Sequence, residues 1–182
     1  MQTSTLLAAF QEYLSTADSF DDLEIVSHYA LLAVASTEQK KILIPIAQHH
    51  SDSVLALWKA PGNDEHPVVW LDSEGSVGVL ANSLEQFLSV SPYGVATLYD
   101  IMRCCSPDRS ADDRKRLLTL KFPADEISIR LKEQQQEFAG SVAYQQWLIK
   151  VYGINIASNP VSIIEQANNS YPNFENWFKE YI

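Results

Sequence analysis

Apolar residues recur at helical spacing near the start of the chain: Leu6, Leu7, Phe10, Tyr13 and Leu14 follow Thr3, Ser4 and Thr5, each with N-capping chemistry. The pattern predicts an amphipathic helix ending near residues 15–19. From Phe20 to Ala35 an acidic start at Asp21, Asp22 and Glu24 gives way to a mostly apolar run. Its period suits a strand and a buried helix equally, so both readings stay open there.

Between Lys41 and Ala81 the texture changes. ILIPI at 42–46, VLALW at 54–58, VVWL at 68–71 and VGVLA at 77–81 are short β-prone runs separated by QHHSDS, APGNDEHP and DSEGS. These breaks carry turn chemistry, Gly75 supplying a positive φ, and their lengths suit antiparallel hairpins without crossover helices. A meander is therefore expected, forming one sheet with a face to be covered by helices. Trp58 and Trp70 fall within strands, so their rings are expected inside with each indole N–H bonded to an acceptor.

The rest of the chain reads as helical. Ser83 and Gln86 have capping-box spacing ahead of Leu84, Phe87 and Leu88, predicting a helix to about Val90. Pro92 suits the first turn of another helix running through Val95, Leu98, Tyr99 and Met102 into the CCSPDRS loop. Ser110 with Asp113 caps a helix over 112–120, and Ile127, Leu131 and Phe138 mark the next. Tyr144, Trp147, Leu148 and Val151 mark one stopped by Gly153, and Asn159 with Pro160 opens a further one. Tyr171, Phe174, Trp177, Phe178 and Tyr181 form an aromatic face, the signature of a terminal helix seated on its own core. The polar seam at 105–111, with Pro107, has no Gly/Ser or Pro-rich linker beside it, so the 182 residues are expected to fold as a unit.

Charge narrows the range of partners. The formal net charge is -10, and residues 1–90 hold 12 acidic and 3 basic side chains against 11 and 10 in 91–182. A field of that sign repels polyanions and anionic membrane surfaces and attracts cationic partners, so neither nucleic acid nor membrane is an expected ligand. Cys104 and Cys105 are adjacent, too close for an unstrained mutual disulfide, and read as reduced, buried thiols with no redox role, even with Arg103 and Arg109 nearby. No segment has the character of a signal peptide or a membrane span, which fits a cytoplasmic protein.

Candidate chemistry is sparse. His49, His50 and Asp52 cluster in one turn, with His28 and His66 elsewhere, but adjacent histidines on a strand point to opposite faces and no HExxH or CxxC accompanies them. There is no GxSxG, and the GSVG at 75–78 lacks the helix and lysine of a phosphate loop. The turn carboxylates Asp52, Asp64, Glu65, Asp72 and Glu74 are expected to be hydrated, which suits electrostatic docking better than acid–base catalysis. No cofactor or metal is expected.

The order ILIPIAQHHSDSVLALW at 42–58, then PVVWLDSEGSVGVLANSLEQFLSVSPYG at 67–94, resembles the SUKH superfamily, which includes bacterial toxin-immunity proteins and a fungal cell-wall regulator. The resemblance rests on the strand containing Pro45, the strand closing on Trp58, the PVVWLDSEG strand and turn, and the ANSLEQFL strand-to-helix junction. It implies an α+β domain with an antiparallel-rich central sheet, about residues 41–81, covered by flanking helices, here with a mainly helical C-terminal extension. It also implies a noncatalytic immunity-type protein that neutralises a cognate toxin, often a nuclease or deaminase. The QHHSDS turn departs from the glycine-rich character expected of the family, and the helical tail lies outside the similar segment. With the charge layout, the reading is occlusion of a basic toxin domain, with Asp52, Asp64, Glu65, Asp72 and Glu74 as the partner-binding residues. The alternatives are a small metal-dependent hydrolase using His49 and His50, and a cytoplasmic regulatory scaffold of the same fold.

Overall fold

The computed structural model describes residues 3–16, 23–24, 35–60, 66–106, 108–137 and 140–180. Five antiparallel strands form one sheet in chain order: β1 (Leu23–Glu24), β2 (Leu43–His49), β3 (Val54–Trp58), β4 (Val68–Leu71) and β5 (Val77–Ala81). The four runs picked out by sequence are β2 to β5, and β2 extends three residues further than ILIPI, to His49. β1 comes from the stretch whose period fitted two readings; it pairs Leu23 with His49 and Glu24 with Gln48. Residues 20–22 and 25–34 of that stretch lie outside the described residues.

Both faces of the sheet are covered, where the sequence led us to expect cover on one. The cause is visible in VLALW, which alternates inward and outward like any strand but has no polar residue to give to either side. Leu55 and Leu57, with Val68, Trp70 and Leu80, join one apolar cluster; Val54, Ala56 and Trp58, with Val69, Leu71, Val77 and Val79, join the other. The first is closed by the helices α1 (Thr3–Thr16), α2 (Leu84–Val90) and α3 (Val95–Cys104). The second is closed by the C-terminal helices α7 (Pro160–Ser170) and α8 (Phe174–Lys179), through Ala167, Phe174 and Phe178. The aromatic face is thus a seat on the domain's own sheet: Trp58 packs 4.8 Å from Phe174 and 5.0 Å from Trp177, centroid to centroid. Tyr181 lies outside the described residues.

Among the described residues, side chains meet the backbone of β2 beyond its two-residue pairing with β1, and that of the edge strand β5. β2 carries Pro45, which has no N–H to offer, beside a bulge between Pro45 and Ala47. Gln11 on α1 donates from Nε2 to the carbonyls of Pro45 and Ile46. On the other side the Asn168 amide acts as a short extra strand, accepting from the Val79 N–H at 3.4 Å and donating to the Val79 carbonyl at 2.6 Å. An edge satisfied in this way is a poor template for pairing with another chain.

The helix ends follow the capping chemistry. Ser83 accepts from Gln86 N–H, but the Gln86 side-chain Oε1 reaches back to accept from the N–H of Asn82, one residue before the cap. Ser110 caps α4 (Ala111–Lys121) through Asp113 N–H, and Asn159 caps α7 through Ser162 N–H. Gly153, left-handed at φ 68°, ends α6 (Ser141–Tyr152). Pro92 does not open α3. It sits in a separate 3-10 turn over Ser91–Tyr93, and Gly94 at φ 84°, ψ 140° breaks the two apart. That conformation belongs almost to glycine alone, and a Cβ there would lie 2.6 Å from the Gln134 amide oxygen of α5 (Ala124–Glu137). Val151 is also not in the core: it is 59% exposed, while Tyr152 beside it packs against the core.

Trp58 and Trp70 are buried as expected, but among the described residues no acceptor meets either indole N–H. Their surroundings explain it. Trp58 is walled by the rings of Tyr171, Phe174 and Trp177, and Trp70 by those of His49 and Tyr99. Each unmet donor costs about 1–3 kcal/mol, which the burial of so large a ring offsets.

The two thiols close the C-terminal end of α3 and are buried. Burial dominates their chemistry: it pushes Cys105 up to about 12, with Glu165 and Cys104 adding to the effect, and raises Cys104 despite Lys121, Arg109 and Arg103. The nearby arginines lose to desolvation, so neither thiol is activated. A raised folded pKa contributes stability that is complete below the unfolded thiol value, about 8.5, and is lost as pH climbs toward 12. Urea titrations are expected to show stability falling across that window, and less steeply in Cys105→Ala. Tyr13, Tyr93 and Tyr99, also raised by burial, add to the alkaline loss above about 10 in both proteins.

Candidate functional site

Meander topology puts the β2–β3 turn and the β4–β5 turn at the same end of the sheet. The first is closed by His49 N–H donating to the Ser53 carbonyl and Asp52 N–H to the His49 carbonyl, with Asp52 at φ 62°, a conformation that Asp tolerates better than most residues. In the second, Asp72 N–H donates to the Ser76 carbonyl and Gly75 N–H to the Asp72 carbonyl, Gly75 standing at φ 91°. The two turns are tied together: Ser73 Oγ donates to the Ser51 carbonyl at 3.1 Å and Ser53 Oγ to Asp72 Oδ1 at 3.3 Å.

Between these turns and α3 lies a cleft of about 380 Å³. Its walls include His49, Ser51, Ser53, Trp70, Asp72 and Tyr99, with Glu74 and Arg103 also lining it. Asp72 is the centre of its hydrogen bonding. Oδ2 accepts from the Tyr99 hydroxyl at 2.6 Å, and Oδ1 accepts from Ser53 Oγ and from Glu74 N–H at 3.1 Å. Burial, then the bond to Asp72, raises the Tyr99 hydroxyl above its ordinary pKa, as befits a donor to a carboxylate. On the other flank Ser51 Oγ lies 3.0 Å from Ser53 Oγ and 2.8 Å from His49 Nδ1. The Arg103 guanidinium stands 5.7 Å above the Tyr99 ring.

The five acidic residues singled out by sequence do not all play one part. Asp52 and Glu74 are exposed on the two joined turns, and Asp52 accepts a 3.3 Å bond from Gln48 Nε2. Asp72 is half-buried, with its carboxylate already holding three donors. Asp64 and Glu65 lie outside the described residues.

The histidines are arranged differently from the expectation. His49 and His50 do not splay to opposite faces; their ring centroids are 4.2 Å apart, because the strand ends at His49 and the chain turns before alternation can carry His50 across. His66 precedes β4 at the far end, with a buried Nδ1 that meets no partner among the described residues, and His28 lies outside them. Among the described residues no group of three or more His, Cys, Asp or Glu side chains is placed to share a metal ion.

Sequence reasoning missed Ser51, Ser53, Trp70, Tyr99 and Arg103 as cleft residues. Ser51 and Ser53 carry no motif beyond turn chemistry, and Tyr99 reaches Asp72 across 27 residues from a helix read only as core-facing. No protein-family profile matches the chain, and neither a curated protein nor a solved structure is significantly similar to it. The fold is α+β, an antiparallel sheet with helices on both faces and a mainly helical C-terminal half. Among the described residues no helix is long and apolar enough to cross a membrane.

Proposed function

We propose that this chain is a noncatalytic, immunity-type binding protein that works in the cytoplasm and occludes a basic domain of a cognate protein toxin, docking through the turn end of its sheet. The observation that carries the reading is the joining of two acidic turns: Asp52 and Glu74 stand exposed on turns that hydrogen bonds hold to each other beside the cleft. Two carboxylates on a preorganised edge attract a cationic surface without ordering themselves on arrival, and the -10 net charge extends the field beyond them. The SUKH-like segments at 42–58 and 67–94 include both turns, which supports the same role. Nucleases and deaminases, the toxin classes the resemblance implies, use cationic grooves to hold their polyanionic substrates, so an acidic edge competes for the same surface.

One contact favours a second reading, catalysis: Ser51 Oγ lies 2.8 Å from an imidazole nitrogen of His49. The carboxylate of Asp72 is bonded to Ser53 and Tyr99 rather than to that ring, so Asp72 is not the orienting acid of a triad. The separating experiment pairs the chain with the product of a toxin gene adjacent to its own. A stoichiometric complex that abolishes toxin activity is the expected result. Failure to bind such a toxin, or turnover of ester or phosphodiester substrates by the isolated chain, overturns the proposal.

A further inference from the structure

We infer that the pocket between the free edge of β5, the loop after α3 and the start of α8 binds a small amphipathic anion, a carboxylate or phosphate head on a short apolar or aryl tail. Arg103, in the last turn of α3, and Arg109, in the loop that follows, both line it. Both are exposed, so the cationic side of the pocket is its open rim. Its floor is apolar and dry: Met102 is 3% exposed and Phe174 1%. A ligand that enters head outward and tail inward meets the chemistry it needs at each depth.

The sign of the charge is what singles this pocket out. In a chain of net charge -10 carboxylates are plentiful, yet among the described residues neither guanidinium is in an ion pair; the pairs there join other side chains. Glu175 also lines the pocket, but Lys179 holds its carboxylate at 2.5 Å and already offsets its charge. The thiol of Cys104 reports the same field from below: besides burial, Lys121, Arg109 and Arg103 all act to lower its pKa and Asp100 to raise it. The potential is therefore locally positive on a molecule that is negative as a whole. Two guanidinium groups at one small pocket repel each other, and an oxyanion placed against both turns that repulsion into two charge-assisted forks.

Backbone and volume set the rest. Along β5 the N–H and carbonyl of Val79 point away from β4 to Asn168, and the register is regular from Val79 back to Val77, so the N–H of Val77 points out along the same edge, where it can serve as a further donor. The half-buried Ser106 adds a hydroxyl to the lining. The volume, about 190 Å³, is below that of a site for a drug-sized molecule, so the tail is limited to a single ring or a few carbons. Arg103 also lines the neighbouring cleft, but the anion site does not depend on the partner proposed above.

NMR titration of the 15N-labelled full-length protein with phenyl phosphate, with benzoate, and with benzyl alcohol as a neutral probe of similar size tests the site. The expected result is saturable binding of an anion to one site per chain in the micromolar to millimolar range, with amide shifts centred on residues 76–79 and 102–109, and no saturable binding of benzyl alcohol. The anion held more tightly identifies the head group. Arg109→Gln, at an exposed loop position, and Arg103→Gln are each expected to weaken that anion about tenfold. Arg116→Gln removes the same net charge from an exposed arginine that lies 3.6 Å from Asp113 and does not line the pocket, and is expected to leave the affinity almost unchanged. No saturable binding of either anion, shifts centred elsewhere, benzyl alcohol bound as tightly as the anions, or an Arg116→Gln loss equal to that of Arg109→Gln overturns the inference.

Discussion

Replacing Phe10 by alanine is expected to lower the stability of the fold by about 3–5 kcal/mol. Phe10 has no exposed surface and stands where three helices meet. Its ring packs edge-on to Phe87 of α2 at 6.4 Å and against Tyr144 of α6 at 6.2 Å. Tyr144 is itself fixed by a 2.8 Å hydrogen bond to the buried Ser91, so the surroundings cannot collapse into the vacancy, and both the transfer and the cavity contributions are felt. Urea unfolding should show a lowered midpoint with an unchanged slope, and heating a loss of roughly 10 °C or more for a chain of this size. A loss under about 1 kcal/mol would mean that α1 is not seated on the sheet as described.

The second large effect concerns association. Asp52→Asn with Glu74→Lys is expected to slow binding to the basic toxin domain about tenfold at low ionic strength, the gap narrowing as salt is added. The substitutions follow from local structure. Asparagine keeps the positive φ of position 52 at little cost, where lysine would add strain, and Glu74 is exposed with its side chain in solvent. Asp72 is left alone because removing it would strip three donors of their acceptor and confound docking with unfolding. Stopped-flow association over a range of salt concentrations is the measurement. Rates and salt dependence equal to those of the parent would remove electrostatic steering from the mechanism.

The site is a balance of local strain and long-range ties. Asp52 holds an uncommon backbone conformation, two histidine rings lie 4.2 Å apart at a 50° tilt at a strand end, and the Trp70 N–H meets no acceptor among the described residues, all within the same corner of the sheet. The bonds converging on Asp72 are what hold that corner together. This also separates the two roles a carboxylate can play here: one set inside the network and giving the edge its shape, the others outside and giving it its field.

Much of the architecture was legible along the chain because it is encoded within a few residues. Strands β2 to β5 were marked by apolar runs between turn residues, and Ser83, Ser110, Asn159 and Gly153 announced helix ends through bonds spanning three or four positions. The aromatic spacing at 171–178 likewise told that this segment seats on a core. What sequence left open was everything that depends on which distant segment arrives. The two-residue β1 exists only because β2 offers an edge to it, and the second face of the sheet is apolar in VLALW but finds its cover more than a hundred residues later, in α8. The same holds for the cleft: His49, Ser51 and Ser53 are neighbours in sequence, yet they line a cleft only when strand register brings in Asp72 and helix packing brings in Tyr99. Periodicity and capping are properties of a few consecutive residues, whereas the tying of two turns to each other and to a helix is a property of the folded whole.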